Sequence, residues 1–293
     1  MNQNDIISGG SFIDEVAYGG WSMDDHHPAG FRTDEEPTIY HTVPSPYGIP
    51  YRCLYSRDVP NLFFAGRNIS VSHAALSSCR VMGTCAMLGQ AVGTAAYIAV
   101  ARHCLPKDIS ERYVAYLQRL LMDDDCYLPH FRRPISTLCE NAALEGEGHG
   151  LECLRDGTDR DRAEEVHAWS GEIGNRITYT FETPCHISRI RLVFDSDLNR
   201  RTLPRPENSM NRNMFHNRRL CYVPSHMPTT MLKRYRITAC CLDGGRRTVV
   251  EEEKNYLRLR KYAVDVSGCT GLVLEPLETW GSEVVRIFAF EAE

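Results

Sequence analysis

Regularly spaced cysteines are missing from this sequence, although its 293 residues include 12 cysteines. No C-x-x-C pair occurs, so the sequence lacks the framework of a metal site and predicts none. Thiols scattered in this way are typical of a protein in a reducing compartment. The first ten residues, MNQNDIISGG, have neither a basic nor an apolar region of the kind found in signal peptides. Together these features predict a cytoplasmic location.

Strong charge and long apolar runs are also missing. The net charge is -5 and the pI is about 6.1, so no overall positive field would attract nucleic acid. The longest apolar stretch, Ala86 to Ala101, contains Gln90 and two glycines and is short for a bilayer span. The sequence therefore predicts no nucleic-acid partner, no membrane segment, and a buried helix at this stretch.

Hydrophobic residues make up 43% of the chain and charged residues 24%, which is typical of globular domains. Up to about residue 60 the sequence is rich in Gly, Pro, Asp and His and predicts loops and short strands. Residues 61–65 (NLFFA) lie between Pro60 and Gly66 and predict a short buried strand. Residues 80–104 predict one glycine-containing buried helix, and Asp108 or Ser110 could cap a second helix over ERYVAYLQRLLM.

Beyond about residue 130 the hydrophobic pattern changes to alternation. Strands are predicted at RITYTF (176–181), ISRIRLVF (187–194), YRITACC (235–241), GLVLEPL (271–277) and VVRIFAFEA (284–292). Several short strands separated by turn signals favour a β-sandwich. The expected fold class is α+β, with one domain over 1–128 and a sandwich over 129–293. An Arg-rich insertion near 199–230 is either a solvated excursion or a contact with the first domain, a partner or an anionic ligand.

The run VPNLFFAGRNISVSHAALSSCRVMGTCAMLGQAVGTAAYIA resembles the closing segment of FAD-dependent oxidoreductases related to heterodisulfide reductase A. The upstream pieces AYGGWSMDDHHP and IPYRCLYS resemble the same family in the same order, so the resemblance covers about residues 8 to 122. It implies the C-terminal part of an FAD-binding α/β domain. In such a domain the buried strand, the following glycine and the helix start lie along the flavin.

The resemblance implies a set of cofactor-binding positions. Those on the ribityl and pyrophosphate side are Ala65, Gly66 and Arg67, and those offering backbone to the ring are Met82, Gly83, Thr84, Cys85 and Ala86. A helix start suits this task because its free N–H groups favour negative charge. Arg67 could instead pair with a surface carboxylate. Cys85 could be redox-active or an inert buried thiol, and Gly89 and Gly93 could serve cofactor contact or helix packing.

Polar side chains near the flavin are the candidates for catalysis and substrate binding. His73 and Arg80 are the catalytic candidates, although His73 could simply satisfy a loop carbonyl. The cluster Asp24 to His27 lies next to Trp21 and predicts a substrate pocket that includes Trp21, Asp25 and His26. Adjacent histidines on a loop seldom face one ion, so this cluster does not predict a metal site.

The sequence lacks the G-x-G-x-x-G turn that holds the ADP half of FAD in such proteins. Its nearest candidate, residues 146–150 (GEGHG), follows no apolar strand and predicts a loop. The FAD site is therefore expected to be incomplete, with the dinucleotide-binding unit on another segment or another chain, and the isolated chain is expected to be inactive. The family also implies a candidate iron-sulfur cluster, for which this sequence has no ligand motif.

The second domain more loosely resembles galactose-binding-like, discoidin-type sandwiches through LRDGTD (154–159), Trp169-Ser170 and VRIFAFE (285–291). The leading hypothesis is part of an FAD-dependent oxidoreductase that acts on an unnamed small molecule and completes the isoalloxazine side of the flavin site. The alternative is a carbohydrate-binding or assembly module that acts through the sandwich, with a glycan as the candidate ligand. A third reading is a truncated product without activity.

Overall fold

The computed structural model describes residues 1–162, 165–197 and 227–293. The chain divides into two compact units, Met1–Arg133 and Pro134–Glu293. Most of the Arg-rich insertion near 199–230 lies outside the described residues. Both units contain the mixture of elements expected for an α+β chain, and each has a hydrophobic core of its own.

The first unit combines short strands with five helices. Its elements are α1 (Gln3–Ile7), β1 (Glu15–Gly19), β2 (Met23–His26), β3 (Thr38–His41), β4 (Tyr47–Pro50), α2 (His73–Cys79), α3 (Met82–Ala101), α4 (Pro106–Arg112) and α5 (Val114–Asp123). Antiparallel pairing joins β1 to β4 and β2 to β3. The core lies between β1, β4 and the inner faces of α3, α4 and α5.

Predictions for two segments of this unit need correction. Residues 61–65 form no strand, and only an isolated bridge joins Phe63 to Tyr55. The segment finds no partner strand among the described residues, and both Leu62 and Ala65 are exposed. The second predicted helix begins earlier, at Pro106, where the carboxylate of Asp108 accepts the backbone N–H of Leu105, and it is interrupted at Tyr113.

The long helix α3 has only one buried face, so the prediction of a buried helix is correct for that face and wrong for the other. Its buried residues are Thr84, Leu88, Ala91, Ala95 and Ile98. The opposite face is exposed and carries Met82, Ala86, Gly93, Tyr97 and Val100. Small and apolar residues occur on both faces, so their composition alone could not show which face is covered.

Helix α3 is also long and apolar enough to cross a membrane, which corrects the expectation that this stretch is too short. It has 20 residues, and 28% of its most apolar window is buried. A single such helix is weak evidence for a membrane segment, because core helices of globular proteins have the same length and composition.

The second unit begins with α6 (Thr137–Asn141) and continues as antiparallel strands. The strands are β5 (Ala143–Gly146), β6 (Trp169–Glu172), β7 (Ile177–Phe194), β8 (Leu232–Cys241), β9 (Arg246–Glu252), β10 (Leu259–Thr279) and β11 (Val284–Ala292). All the predicted strands of this unit are confirmed, but the two predicted at 176–181 and 187–194 belong to the single strand β7.

The long strands β7 and β10 take part in two layers of sheet. The first residues of β7 pair with β5 on one side and with the later part of β10 on the other. This part of β10 also pairs with β8, and β8 pairs with β9. Late residues of β7 pair with the beginning of β10 and with β11, which pairs with β6. Register shifts in β10 between Ala263 and Gly271 lie between these layers, where bulges allow strands to bend. The predicted β-sandwich is therefore confirmed.

The two layers face each other across an apolar core. The Tyr179 ring lies 5.4 Å from the Phe290 ring, and its hydroxyl donates to the Phe290 carbonyl at 3.0 Å. Trp169 is fully buried and donates its indole N–H to the Glu147 carbonyl at 2.9 Å. Gly148 has φ +96° and lies against the Trp169 ring, where a side chain would clash. The GEGHG segment is thus a loop shaped by core packing.

Candidate functional site

The predicted flavin-binding residues lie on and around the junction of α2 and α3. The Ser72 hydroxyl caps α2 by accepting the Ala75 N–H at 3.3 Å. After α2 ends at Cys79, Arg80 forms its C-cap, Val81 adopts an extended conformation and α3 begins at Met82. No side chain caps this start. The first N–H groups of a helix have no partner within it, so the start of α3 offers donors and the positive end of the helix dipole.

Most of the predicted cofactor positions face open space in the first unit. Ala65, Arg67, Met82, Gly83 and Ala86 are exposed, Gly66 and Cys85 are half-buried, and Thr84 is buried. A side chain built at either Gly66 or Gly83 would meet no atom within 4 Å. Gly66 has φ +92°, in the left-handed region that favours glycine. A flat ligand can therefore approach the backbone at both positions, which fits the flavin that the resemblance implies.

The Arg67 guanidinium has no ion-pair or hydrogen-bond partner within residues 1–162, 165–197 and 227–293. Arg57, in the same unit, pairs instead with the neighbouring Asp58 at 3.0 Å. The surface ion pair weighed as the alternative for Arg67 is thus absent from the described residues. An exposed, unpaired guanidinium is available to an anionic group such as a phosphate.

The predicted catalytic and substrate residues meet where α2 lies against β2. Nε2 of His73 lies 3.4 Å from Oδ1 of Asp25, so its ring faces a carboxylate and not a loop carbonyl. A carboxylate beside an imidazole orients the ring. The His73 side chain is 84% exposed, so the ring is accessible to a substrate.

Arg80 is held by the neighbouring carboxylate. Its Nη2 donates to the Asp24 carbonyl at 3.1 Å and lies 3.8 Å from Asp24 Oδ2. Nε2 of His26 lies 3.9 Å from the same carboxylate oxygen. The other oxygen, Oδ1, is buried without a hydrogen-bond partner in the described part of the chain. Asp24 therefore joins Arg80 to His26 and retains one free acceptor.

Two residues that the sequence did not single out fix Trp21 in place. The Ser78 hydroxyl donates to the Trp21 carbonyl at 2.5 Å and also lies 2.6 Å from the Tyr47 hydroxyl. Burial raises the pKa of Tyr47, which keeps this hydroxyl protonated. The Trp21 side chain is 41% exposed. Ser78 occurs in an ordinary helical run, so its sequence context carries no signal of this role.

The structure thus brings His73, Arg80, Asp25 and His26 together around β2 and α2. No hydrogen bond or ion pair between described residues links this group to Ala65, Gly66 and Arg67. Among the described residues, no three His, Cys, Asp or Glu side chains are arranged to hold a metal ion.

The second unit has a shallow cavity of about 200 Å³ between α6 and β7. Its lining consists of Thr137, Leu138, Asn141, Ala142, Phe181, Glu182 and Thr183. Hydroxyl, amide and carboxylate groups therefore surround it, with one aromatic side chain among them.

Solved structures similar to this chain include family 32 carbohydrate-binding modules. The module of Streptococcus pneumoniae EndoD is 12% identical, with a TM-score of 0.38, over 54% of this chain and 99% of the module. A Clostridium perfringens module in complex with GalNAc-β-1,3-galactose is 13% identical, with a TM-score of 0.35, over 54% and 99%. A two-domain Bacteroides fragilis protein of unknown function is 15% identical, with a TM-score of 0.36, over 55% and 44%. Likenesses this distant do not identify a ligand.

No curated protein matches the chain. The sequence model of the FAD dependent oxidoreductase family matches residues 1–121, a range that contains α1 to α4, most of α5 and all the predicted site residues. Residues 1–121 of this chain therefore belong to the FAD-dependent oxidoreductase family.

Proposed function

We propose that the first unit forms the isoalloxazine side of an FAD site in an oxidoreductase. The observation that carries this proposal is the start of α3, a 20-residue helix without a side-chain cap, at which Met82 and Gly83 are exposed and the space in front of Gly83 is open. This arrangement lies inside the range that matches the family. Bound FAD would supply the transfer of electrons to or from the substrate.

The chain's own contribution is orientation and charge stabilisation. The free N–H groups of Met82, Gly83 and Thr84 would face the electron-rich edge of the flavin ring. Arg67 would hold a phosphate oxygen, and the left-handed backbone at Gly66 would let the ribityl chain approach closely. Ala65, Cys85 and Ala86 would complete the contact surface.

The imidazole of His73 would move a proton to or from the substrate, with Asp25 holding the ring in place. Arg80, fixed by Asp24, would place a positive charge near the reacting group. Trp21 and His26 would line the substrate pocket beside them. The relation to heterodisulfide reductase A and the cytoplasmic location stay predictions, as does the family's candidate iron-sulfur cluster.

We also propose that another polypeptide segment supplies the dinucleotide-binding part of this site. Two observations support this. The 293 residues contain no G-x-G-x-x-G motif, and no described residue covers the small and apolar face of α3 that includes Tyr97 and Val100. A covering segment would shield that face from water. FAD would then bind weakly to this chain alone and tightly once the second segment is added.

The proposal is tested with FAD and the full chain. Desalting after incubation with FAD should leave no flavin absorbance, whereas titration should show weak quenching of flavin fluorescence. Arg67→Ala and Gly83→Val should each weaken that quenching several-fold, and Arg57→Ala is the matched control because Arg57 is an exposed arginine paired with Asp58.

The outcomes separate the two parts of the proposal. Stoichiometric flavin retained with resolved absorption bands would overturn the claim that the site is incomplete. Equal quenching by all variants would overturn the assignment of the flavin-facing residues.

The second candidate function, glycan binding, rests on the cavity between α6 and β7. Its polar lining and Phe181 offer hydrogen bonds and an apolar surface of the kind that sugars use. Asn141→Ala should abolish binding on a glycan array, while Asn175→Ala, on an exposed turn outside the cavity, should leave it unchanged. A chain that binds no glycan on the array would remove this candidate.

A further inference from the structure

Three cysteines of the second unit lie in one row across adjacent strands. In the antiparallel ladders Cys269 of β10 is the direct partner of Cys185 on β7 and of Cys241 on β8. Direct partners in neighbouring strands carry their side chains on the same face of the sheet. The row therefore places the buried Cys269 between two thiols that are each only partly buried.

On the β7 side the two residues are in contact. The Cys185 sulfur lies 3.4 Å from the Cys269 carbonyl oxygen. Cys269 belongs to the hydrophobic core of the unit, and Cys185 packs against that same core. The two side chains thus share one apolar environment.

The spacing of paired strands suits a disulfide. Directly opposed residues of antiparallel strands have Cα atoms about 4.5–5.5 Å apart. Disulfides join residues whose Cα atoms are about 4.4–6.8 Å apart. Cys185 and Cys269 are such a direct pair, with a register shift on each side of Cys269. A bond between them therefore needs rotation of both side chains and local adjustment of the bulged backbone.

We propose that Cys185 and Cys269 form a disulfide that joins β7 to β10 when the protein meets a low-molecular-weight disulfide. The Cys185 thiolate attacks one sulfur of that reagent, forms a mixed disulfide and releases one thiolate. The Cys269 thiolate then attacks the Cys185 sulfur, closes the protein disulfide and releases the second thiolate. The protein loses two protons and two electrons, and the reagent is reduced to two thiols.

The order of the two steps follows from burial. Cys185 is partly exposed and can meet a reagent from solution, whereas Cys269 is fully buried and can react only with a neighbouring sulfur. Burial raises the pKa of both thiols, that of Cys269 to about 11, so the exchange is slow near neutral pH and each step accelerates as the pH rises. The charged form of Cys269 is opposed by Cys185 on β7 and by Cys240 and Cys241 on β8.

The test is peptide mapping of the full chain without reduction, after incubation with oxidised glutathione at mildly alkaline pH. The expected product is a linked peptide pair that contains Cys185 and Cys269, with two fewer alkylatable thiols and a higher unfolding temperature of the second unit. Adding a reductant should reverse all three changes.

Cys185→Ser should abolish the linked pair and the rise in unfolding temperature that oxidation produces. Cys153→Ser is the matched control, because Cys153 is another partly buried thiol whose pKa burial raises. It lies in the short 3-10 helix Leu151–Arg155 and pairs with no cysteine across a strand in the described part of the chain. A Cys241–Cys269 link, or a stable glutathione adduct on Cys185 with Cys269 still free, would overturn the proposal.

Discussion

Individual side chains in the first unit differ greatly in how much stability they contribute, and Asp14 is a clear example. Its carboxylate is 4% exposed and accepts both the side chain and the backbone N–H of Arg52. The hydrogen bond to Asp14 raises the pKa of Arg52, which keeps the guanidinium charged.

We expect Asp14→Asn to lower the free energy of unfolding by about 2 kcal/mol, measured by urea denaturation, because it leaves Arg52 without its countercharge. Asp58→Asn breaks an exposed ion pair with Arg57 and should cost less than about 0.5 kcal/mol. Equal losses for the two variants would contradict this ranking.

Buried tyrosines predict how stability responds to alkaline pH. Burial raises the pKa of Tyr47, Tyr51, Tyr179 and Tyr235 in the folded chain. In the unfolded chain tyrosine ionises near pH 10, so above that pH the unfolded state releases protons that the folded state retains. The contribution of these tyrosines to the free energy of unfolding should be constant below about pH 10 and should fall as the pH rises further.

Each such tyrosine contributes up to about 1.4 kcal/mol of this loss per pH unit. Tyr179→Phe removes one of these tyrosines from the second unit. Between pH 9 and 11, the unfolding midpoint of the second unit should therefore fall less steeply with pH in this variant than in the wild type. An unchanged slope would show that Tyr179 ionises in the folded state.

At the scale of helices and strands, replacing a glycine should have opposite effects on stability in helix α3 and in strand β4. Gly93 lies in the exposed face of α3, and a side chain there would meet no atom within 4 Å. Gly48 of β4 lies against the Glu15 carboxylate and the Gly10 carbonyl. The helix therefore has room for a side chain that the strand cannot accept.

We expect Gly93→Ala to raise the free energy of unfolding of the isolated chain by about 0.5–1 kcal/mol, because alanine loses less backbone entropy in a helix. Gly48→Ala should lower it by more than about 2 kcal/mol, because backbone and a buried carboxylate would have to move. Thermal unfolding of the two variants beside the wild type measures both effects, and a loss of stability in Gly93→Ala would count against an open helix face.

For the molecule as a whole, two separate cores predict two unfolding events. The core residues of the first unit all precede Arg133, and those of the second all follow Pro134. We expect calorimetry of the full chain to show two transitions, one of which is reproduced by residues 134–293 expressed alone. A single transition that vanishes in the shorter chain would show that the units fold as one.

Local sequence patterns were enough to predict the fold class, the strands of the sandwich and the family of the first unit. Alternation over 235–241 is one such pattern, because this part of β8 has one buried face. Residues 187–194 and 284–292 were recognised by their near-alternation, although most of both stretches is buried on both faces. The ordered motifs around Gly66 and Met82 likewise lie within short stretches of chain. Such features can be recognised without knowledge of distant contacts.

Which surfaces are covered and which distant residues meet depends on long-range packing. Residues 61–65 have the composition of a buried strand but form none, because no described strand pairs with them. The inner and outer faces of α3 became distinguishable only once β1 and α5 packed against one of them. Pairing of His73 with Asp25, and of Cys185 with Cys269, likewise arises from tertiary contacts and strand register, which no local pattern encodes.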